Sequence, residues 1–271
     1  MKHLVTTDWL EKNLDSVRVF DASWHLPDSS RDGFNEFKKI HIKNSNFFDI
    51  DKNSHHDSNI PHMLPTKNIW EKIMSEYGIK NSDHIIIYDN SDVISACRVW
   101  YNFLYFNHNP ELISVLDGGL KKWLMENKEI SVDIKKYEKS SYKADENKNL
   151  VLDKNQITSN IKSKLIELVD ARSKERFLGS HPEPRKELKS GNIEGSKNLP
   201  FTELINKENK TFKNKDELSS IFKKNKIDTS KEMAFTCGSG ITACILGLAN
   251  SIISGKKPII YDGSWAEYGL K

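Results

Sequence analysis

Met233-Ala234-Phe235-Thr236-Cys237-Gly238-Ser239-Gly240-Ile241-Thr242-Ala243-Cys244 sets a cysteine and two glycines between two apolar runs. An apolar, strand-like run ends on a cysteine, two glycines let the backbone curl, and an apolar helix-like stretch follows through Ile245, Leu246 and Leu248. A turn of this kind aims successive backbone N–H groups inward, and the first helical turn adds donors that have no partner in the helix. A thiolate held there is stabilised by main-chain dipoles, which is a nucleophile's setting. A cysteine after a hydrophobic strand can also be an inert small hydrophobe. Glycines at both 238 and 240 are hard to explain by packing, and they favour chemistry. Cys244 falls about two turns into the helix and is expected in the core.

The same pattern occurs twice. Val19-Phe20-Asp21-Ala22 is echoed by Leu168-Val169-Asp170-Ala171, and Ile85-Ile86-Ile87-Tyr88-Asp89 by Met233 to Cys237. His41-Ile42 through Phe48 is echoed by Asn192-Ile193 through Phe201, and Val115-Leu116-Asp117-Gly118-Gly119 by Ile259-Ile260-Tyr261-Asp262-Gly263-Ser264. The copies lie roughly 150 residues apart, which indicates one duplicated unit. Short β-branched runs alternate with amphipathic stretches such as 66–77 and 96–105. That alternation predicts an α/β fold with a mostly parallel sheet flanked by helices in each copy. The expected organisation is a first domain over 1–133, an exposed polar connector over 134–157, and a second domain over 158–271. Where copy two has Cys237-Gly238-Ser239-Gly240, copy one has Asp89-Asn90-Ser91-Asp92. The first copy therefore lacks a nucleophile, and its acidic loop repels an anion. Cys97, within the second helical stretch of copy one, is expected to be core.

Composition narrows the classes. The chain has 271 residues, 37% apolar and 29% charged, with interspersed charges that sum to +3. No basic stripe with interleaved aromatics is present, so nucleic acid is not expected as a partner. No run has the length of a membrane span, and the N-terminal residues turn polar too soon for a secretory signal. Three cysteines argue against a disulfide framework and for a reducing compartment, so the expected location is cytoplasmic.

Candidate anion-binding groups lie upstream of the cysteine. Arg176 follows the Asp170 strand end, and Arg185 sits in His181-Pro182-Glu183-Pro184-Arg185, where two prolines stiffen the loop. Each could clamp a carboxylate, stand solvated at the surface, or pair with Glu175, Glu183 or Glu187. In copy one, Asp49-Ile50-Asp51 and the loop Ser54 to Met63 are rich in acids and histidines. Their spacing does not match a structural zinc pattern, so no metal is expected, and a loop reaching across an interdomain cleft is preferred. His62 is the most anchored of these histidines. Asp170 and Asp262 are expected to accept hydrogen bonds from loop amides and to position the cysteine loop indirectly.

Taken together, these motifs closely resemble the two-domain rhodanese family, in its 3-mercaptopyruvate sulfurtransferase branch. The similarity runs over nearly the whole chain. Its most specific element is Cys237-Gly238-Ser239-Gly240-Ile241-Thr242-Ala243, supported by Asp49-Ile50-Asp51, His62-Met63-Leu64-Pro65, Ser95 to Trp100, Leu116 to Gly119, Pro182-Glu183-Pro184-Arg185 and Tyr261 to Trp265. The resemblance implies tandem rhodanese-like domains, a silent first copy, and a second copy whose Cys237 is the nucleophile. It implies that Arg176 and Arg185 bind the substrate carboxylate and carbonyl, and that Asp51 and His62 reach the cleft from the first domain. Ser239 is implied as a hydrogen-bonding group or proton relay, and Gly238, Gly240, Ile241 and Thr242 as the loop around the substrate and the persulfide. One departure is His41-Ile42-Lys43-Asn44, which lacks the family's usual glycine; Asn192-Ile193-Glu194-Gly195 keeps it.

The expected activity is ping-pong transfer of sulfur from 3-mercaptopyruvate through a Cys237 persulfide to a thiol such as thioredoxin, or to cyanide, with release of pyruvate and no cofactor. A monomer is expected. Thiosulfate, a dianion, would favour cationic side chains directly after the cysteine, where Gly238 and Ser239 are neutral. A cysteine phosphatase or arsenate reductase would need an arginine near position 243, which is alanine. A non-catalytic tandem scaffold would have no need to keep the cysteine and both glycines.

Overall fold

The computed structural model describes residues 3–271. The chain forms two compact units. Unit 1 takes the chain up to His56, then Leu64–Asn147 and Lys207–Thr211; unit 2 takes Asp57–Met63, Lys148–Asn206 and Phe212–Lys271.

In unit 1 the elements run β1 (Leu4–Val5), α1 (Thr7–Asn13), β2 (Arg18–Asp21), α2 (Gly33–Lys39), β3 (His41–Ile42), β4 (Ser45–Phe47), α3 (Lys67–Glu76), β5 (Ile85–Tyr88), α4 (Ala96–Tyr105), β6 (Ile113–Leu116), α5 (Gly119–Met125) and β7 (Ile130–Ser131). Unit 2 contains β8 (Val151–Leu152), α6 (Lys154–Ser163), β9 (Glu167–Asp170), α7 (Lys174–Leu178), β10 (Lys197–Asn198), α8 (Lys215–Lys224), β11 (Met233–Thr236), α9 (Ala243–Ser254), β12 (Ile259–Tyr261) and α10 (Ser264–Tyr268).

The main sheets share one plan. Unit 1 orders its strands β1-β6-β5-β2-β4, and unit 2, read from its opposite end, β8-β12-β11-β9-β10. All pairs within these two sheets are parallel. Register is preserved as well: Asp21 lies beside Tyr88 as Asp170 lies beside Thr236, and Val5 beside Leu116 as Leu152 beside Tyr261. Two sheets with the same order and register are the structural form of the repeat. The central strands are buried along their whole length, so Ile85-Ile86-Ile87-Tyr88 and Met233-Ala234-Phe235-Thr236 lack the polar alternation that would mark a half-exposed strand. α4 packs on β5 and β6, and α9 packs on β11 and β12, as parallel crossovers require.

Segment 134–157, expected as an exposed connector, divides. Residues 134–147 are fixed to unit 1: Asn46 donates to the Lys135 carbonyl, Ser140 N–H to Ser75, Asn147 N–H to Tyr105, and the buried Tyr142 hydroxyl contacts His108. From Lys148 onward the chain belongs to unit 2, and α6 is opened by a capping box between Asp153 and Gln156. The missing glycine of copy one also has a physical account. Asn44 stands at φ 65° where Gly195 stands at φ 78°. Asparagine is the side chain that best tolerates that left-handed geometry, so the turn survives. Among the described residues, no helix is long and apolar enough to cross a membrane.

Candidate active site

Cys237 directly follows β11, at the carboxyl end of a central strand, where open parallel sheets place their ligands. It is 2% exposed and carries a free thiol. The following loop turns sharply at Gly240, whose φ of 80° would strain any side chain with a Cβ. α9 then begins at Ala243 behind Thr242, which supplies no side-chain cap. Among the described residues, the amides of Gly238, Ser239, Ile241, Thr242 and Ala243 find no acceptor. A run of free donors beside a sulfur atom is an anion cradle built from main chain.

The loop is held from below by the turn that opens α10. Ser264 Oγ accepts the Cys237 N–H at 3.2 Å and donates to the Tyr261 carbonyl at 2.8 Å. Trp265 N–H donates to the Cys237 carbonyl at 3.0 Å, and Ala266 N–H to the Gly238 carbonyl at 2.8 Å. Both backbone groups of the nucleophile are therefore fixed before any substrate arrives. Cys244 is core, as its apolar neighbours implied, and its thiol donates to the Gly240 carbonyl at 3.2 Å. Cys97 is buried in α4.

Around this loop, unit 2 gathers several of the expected side chains. His62 belongs to the segment Asp57–Met63, which comes from the first half of the sequence yet folds into unit 2. Its Nδ1 shares a 2.9 Å hydrogen bond with Ser239 Oγ, the direction depending on the imidazole tautomer, and both residues are buried. Asp51 lies in unit 1, where its carboxylate accepts from the Trp24 indole at 3.0 and 3.1 Å. Ile241 is buried and Thr242 half-buried.

The two arginines differ. Arg176, on the short helix α7, comes so close to the cysteine loop that a Cβ on Gly238 would lie 3.2 Å from its Nη2. A side chain at position 238 would press on this guanidinium. Of the pairings left open by the sequence, Arg176 takes Glu183, with Nη2 to Oε2 at 2.5 Å and Nε to Oε1 at 3.3 Å. Arg185, half-buried two residues further on, has no side-chain hydrogen bond or ion pair among the described residues.

Glu183 leads to a part of the site that the sequence did not announce. Its other oxygen accepts from Arg172 Nη1 at 2.8 Å, and Arg172 is clamped by Asp170, the Gly191 carbonyl and the Trp265 ring 4.4 Å away. Arg172, Asp170 and Glu183 are almost fully buried. An arginine two residues after a strand-end aspartate, with a proline-flanked glutamate following, is the only signal that could have marked this network. Asp170 also accepts the Arg172 N–H at 2.9 Å, the loop-amide role expected of it.

The equivalent loop of unit 1 is closed to an external anion by its own carboxylate. Asp89 stands where Cys237 stands and accepts the amides of Ser91 at 2.8 Å and Ala96 at 2.9 Å. Burial pushes Asp89 up to about 7 and its neighbour Asp21 up to about 6. Lys210 pairs with Asp92 at the rim.

Comparison with known proteins agrees with this geometry. The Rhodanese-like domain family matches twice, over residues 6–126 and 153–271. A 3-mercaptopyruvate sulfurtransferase of Mus musculus is 38% identical, the alignment covering 99% of this chain and 92% of the relative. A thiosulfate sulfurtransferase of Rattus norvegicus is 36% identical over 98% of this chain and 91% of its own length. The crystal structure of SseA from Escherichia coli, described as a 3-mercaptopyruvate sulfotransferase, superposes with a TM-score of 0.88 at 30% identity, covering 98% of this chain and all of that one. With two matched domains, an alignment over 99% of the chain and a cysteine at the end of the central strand in the second copy alone, the chain belongs to the rhodanese-like family of sulfurtransferases, in its tandem two-domain form.

Proposed function

We propose that 3-mercaptopyruvate is the sulfur donor and that Cys237 carries the sulfur, as a persulfide, to a small thiol, reduced thioredoxin or cyanide. The observation that carries this reading is the half-buried Arg185 guanidinium, left without a protein partner in the unit that holds Cys237. An open guanidinium, combined with the neutral Gly238-Ser239 pair directly after the nucleophile, suits the carboxylate of an α-keto acid.

The donor's carboxylate docks on Arg185 and its carbonyl oxygen faces Arg176, so that its sulfur meets Cys237. The Cys237 thiolate attacks that sulfur, a new S–S bond forms, and the C–S bond breaks. The electron pair of the broken bond moves onto the keto acid as an enolate, whose oxygen is stabilised by hydrogen bonds donated from the Arg176 guanidinium. A proton delivered through Ser239, with His62 behind it, converts the enolate to pyruvate. The persulfide rests among the free amides of Gly238, Ser239, Ile241 and Thr242 until the acceptor's thiolate or cyanide takes the outer sulfur.

The test compares kcat/KM for 3-mercaptopyruvate and thiosulfate on one preparation. Mercaptopyruvate is expected to be the better donor, and a clear preference for thiosulfate overturns the assignment. Intact-mass analysis after donor treatment separates an enzyme from a scaffold: Cys237 must gain the mass of one sulfur atom.

A further inference from the structure

The Glu183 carboxylate is shared by two guanidiniums, that of Arg172 at 2.8 Å and that of Arg176 at 2.5 Å. Arg172 has its own counter-charge in Asp170, with Nη2 to Oδ2 at 2.7 Å and Nε to the same oxygen at 3.0 Å. Glu183 is thus the counter-charge of Arg176, and Arg185 keeps none. Without that carboxylate, the arginines near the cysteine loop would present one further uncompensated positive charge.

We infer that Glu183 is a specificity-determining residue: by neutralising Arg176 while holding it in place, it tunes the pocket of Cys237 to monoanionic donors and against dianionic ones. Glu183 touches no reacting atom; it acts through Arg176. The argument is electrostatic. Arg176 still donates hydrogen bonds to a substrate oxygen, because geometry decides donation, while the long-range attraction that grows with ligand charge is halved. A monocarboxylate such as a mercapto-keto acid loses one increment of that attraction and a dianion such as thiosulfate loses two. Discrimination therefore comes from a buried acid behind the site as well as from the neutral residues after the cysteine. The fold supports the arrangement: Pro182 and Pro184 stiffen the loop on both sides of Glu183, and its side chain is 1% exposed, so water screens the pair poorly. The inference rests on the reading that the donor's anionic group meets Arg176 and Arg185.

The test uses Glu183→Gln in the full chain, which keeps the shape and removes the charge. Alkylation of Cys237 by iodoacetate, an anion, is compared with alkylation by neutral iodoacetamide of nearly the same size. The iodoacetate-to-iodoacetamide rate ratio should rise about tenfold over the unsubstituted protein, the effect of one added unit charge at short range. The kcat/KM ratio of thiosulfate to 3-mercaptopyruvate should rise by a similar factor, and more steeply at low ionic strength. Loss of both donors in equal proportion, with an unchanged alkylation ratio, would overturn the inference and leave Glu183 a purely structural residue. Arg176→Gln approaches the pair from its other end and spares the buried acid, so it remains informative if Glu183→Gln does not fold. It should lower the alkylation ratio about tenfold, and no change would also overturn the inference. The double replacement, which removes a neutral pair, should return the ratio to its starting value. Alkylation does not depend on which donor is physiological, so a thiosulfate preference in the unsubstituted protein would defeat the proposed donor while leaving this test intact.

Discussion

Ser264 holds the Cys237 amide at 3.2 Å from a backbone φ of 49°, and its counterpart in unit 1, Gly119, has nearly the same φ of 54°. The turn demands left-handed geometry in both copies. The copy without a nucleophile meets the demand with glycine, and the copy with one accepts strain to place a hydroxyl. The hydroxyl fixes the cysteine's amide, a contact that glycine cannot make; the main-chain bond beside it is kept in both copies, from Trp265 N–H to the Cys237 carbonyl at 3.0 Å and from Leu120 N–H to the Asp89 carbonyl at 2.9 Å.

Ser264→Ala should therefore be worse than Ser264→Gly in stability, although both lose the hydroxyl. Each leaves the buried Cys237 N–H without its acceptor, at about 1–3 kcal/mol. Alanine additionally keeps the left-handed strain, about 1 kcal/mol that glycine relieves. Urea denaturation of the two variants measures the difference, and sulfur transfer should fall to a similar extent in both. Equal stabilities would show that the turn stores no strain.

His62 and Ser239 should behave as one unit. Ser239→Ala, His62→Asn and the double variant are expected to lower kcat with mercaptopyruvate by similar factors, about 10–100-fold, because either loss breaks the same proton path. His62 also sits at φ 62°, so His62→Asn, whose side chain tolerates that geometry, should stay more stable than His62→Ala. Fully additive losses in the double variant would mean that the 2.9 Å contact carries no shared function.

The three thiols should separate cleanly. Cys237→Ser should abolish the sulfur adduct and turnover while leaving the melting temperature nearly unchanged. Cys97→Ser and Cys244→Ser should keep the adduct, with a stability loss of roughly 1–2 kcal/mol for a hydroxyl in an apolar core. In Cys244→Ser the hydroxyl can still donate to the Gly240 carbonyl, which offsets part of that cost. Transfer by Cys237→Ser protein, measured as thiocyanate formed from cyanide, would displace Cys237 as the sulfur carrier.

What the sequence disclosed and what it concealed follow one physical division. Buried parallel strands and the helices over them write themselves in continuous apolar runs, so Ile85–Tyr88, Met233–Thr236 and their repeat were legible. So was the cysteine loop, because Gly240 must reach φ 80° and Gly238 lies against Arg176. Long-range polar contacts leave no such trace. The sharing of Glu183 by Arg172 and Arg176 depends on how a proline-bounded loop folds back beneath α7. The placement of His62 in unit 2 depends on a segment contributed from a distant part of the chain. Residues 134–147 looked like a tether because their anchoring is through backbone carbonyls and single side chains, which composition does not register.

Unit 1 offers a pH test independent of catalysis. Burial raises Asp89 from 3.8 to about 7, the amides of Ala96 and Ser91 pull it down, and the charge of Asp21 adds to the rise. The folded state therefore holds a proton that the unfolded chain gives up near 3.8. Stability from this group is complete below that pH and is lost progressively as pH climbs through about 7. Asp89→Asn, which has no charge to bury, should escape this loss. Its stability relative to the unsubstituted protein should grow between pH 4 and pH 8, reaching roughly 1–3 kcal/mol in its favour at the alkaline end. At pH 4 the order should be level or reversed, because the asparagine NH2 cannot accept both amides that the carboxyl group serves. Thermal or urea unfolding across this range measures it, and a difference that stays constant with pH would show that Asp89 is charged throughout and that its amide partners outweigh burial.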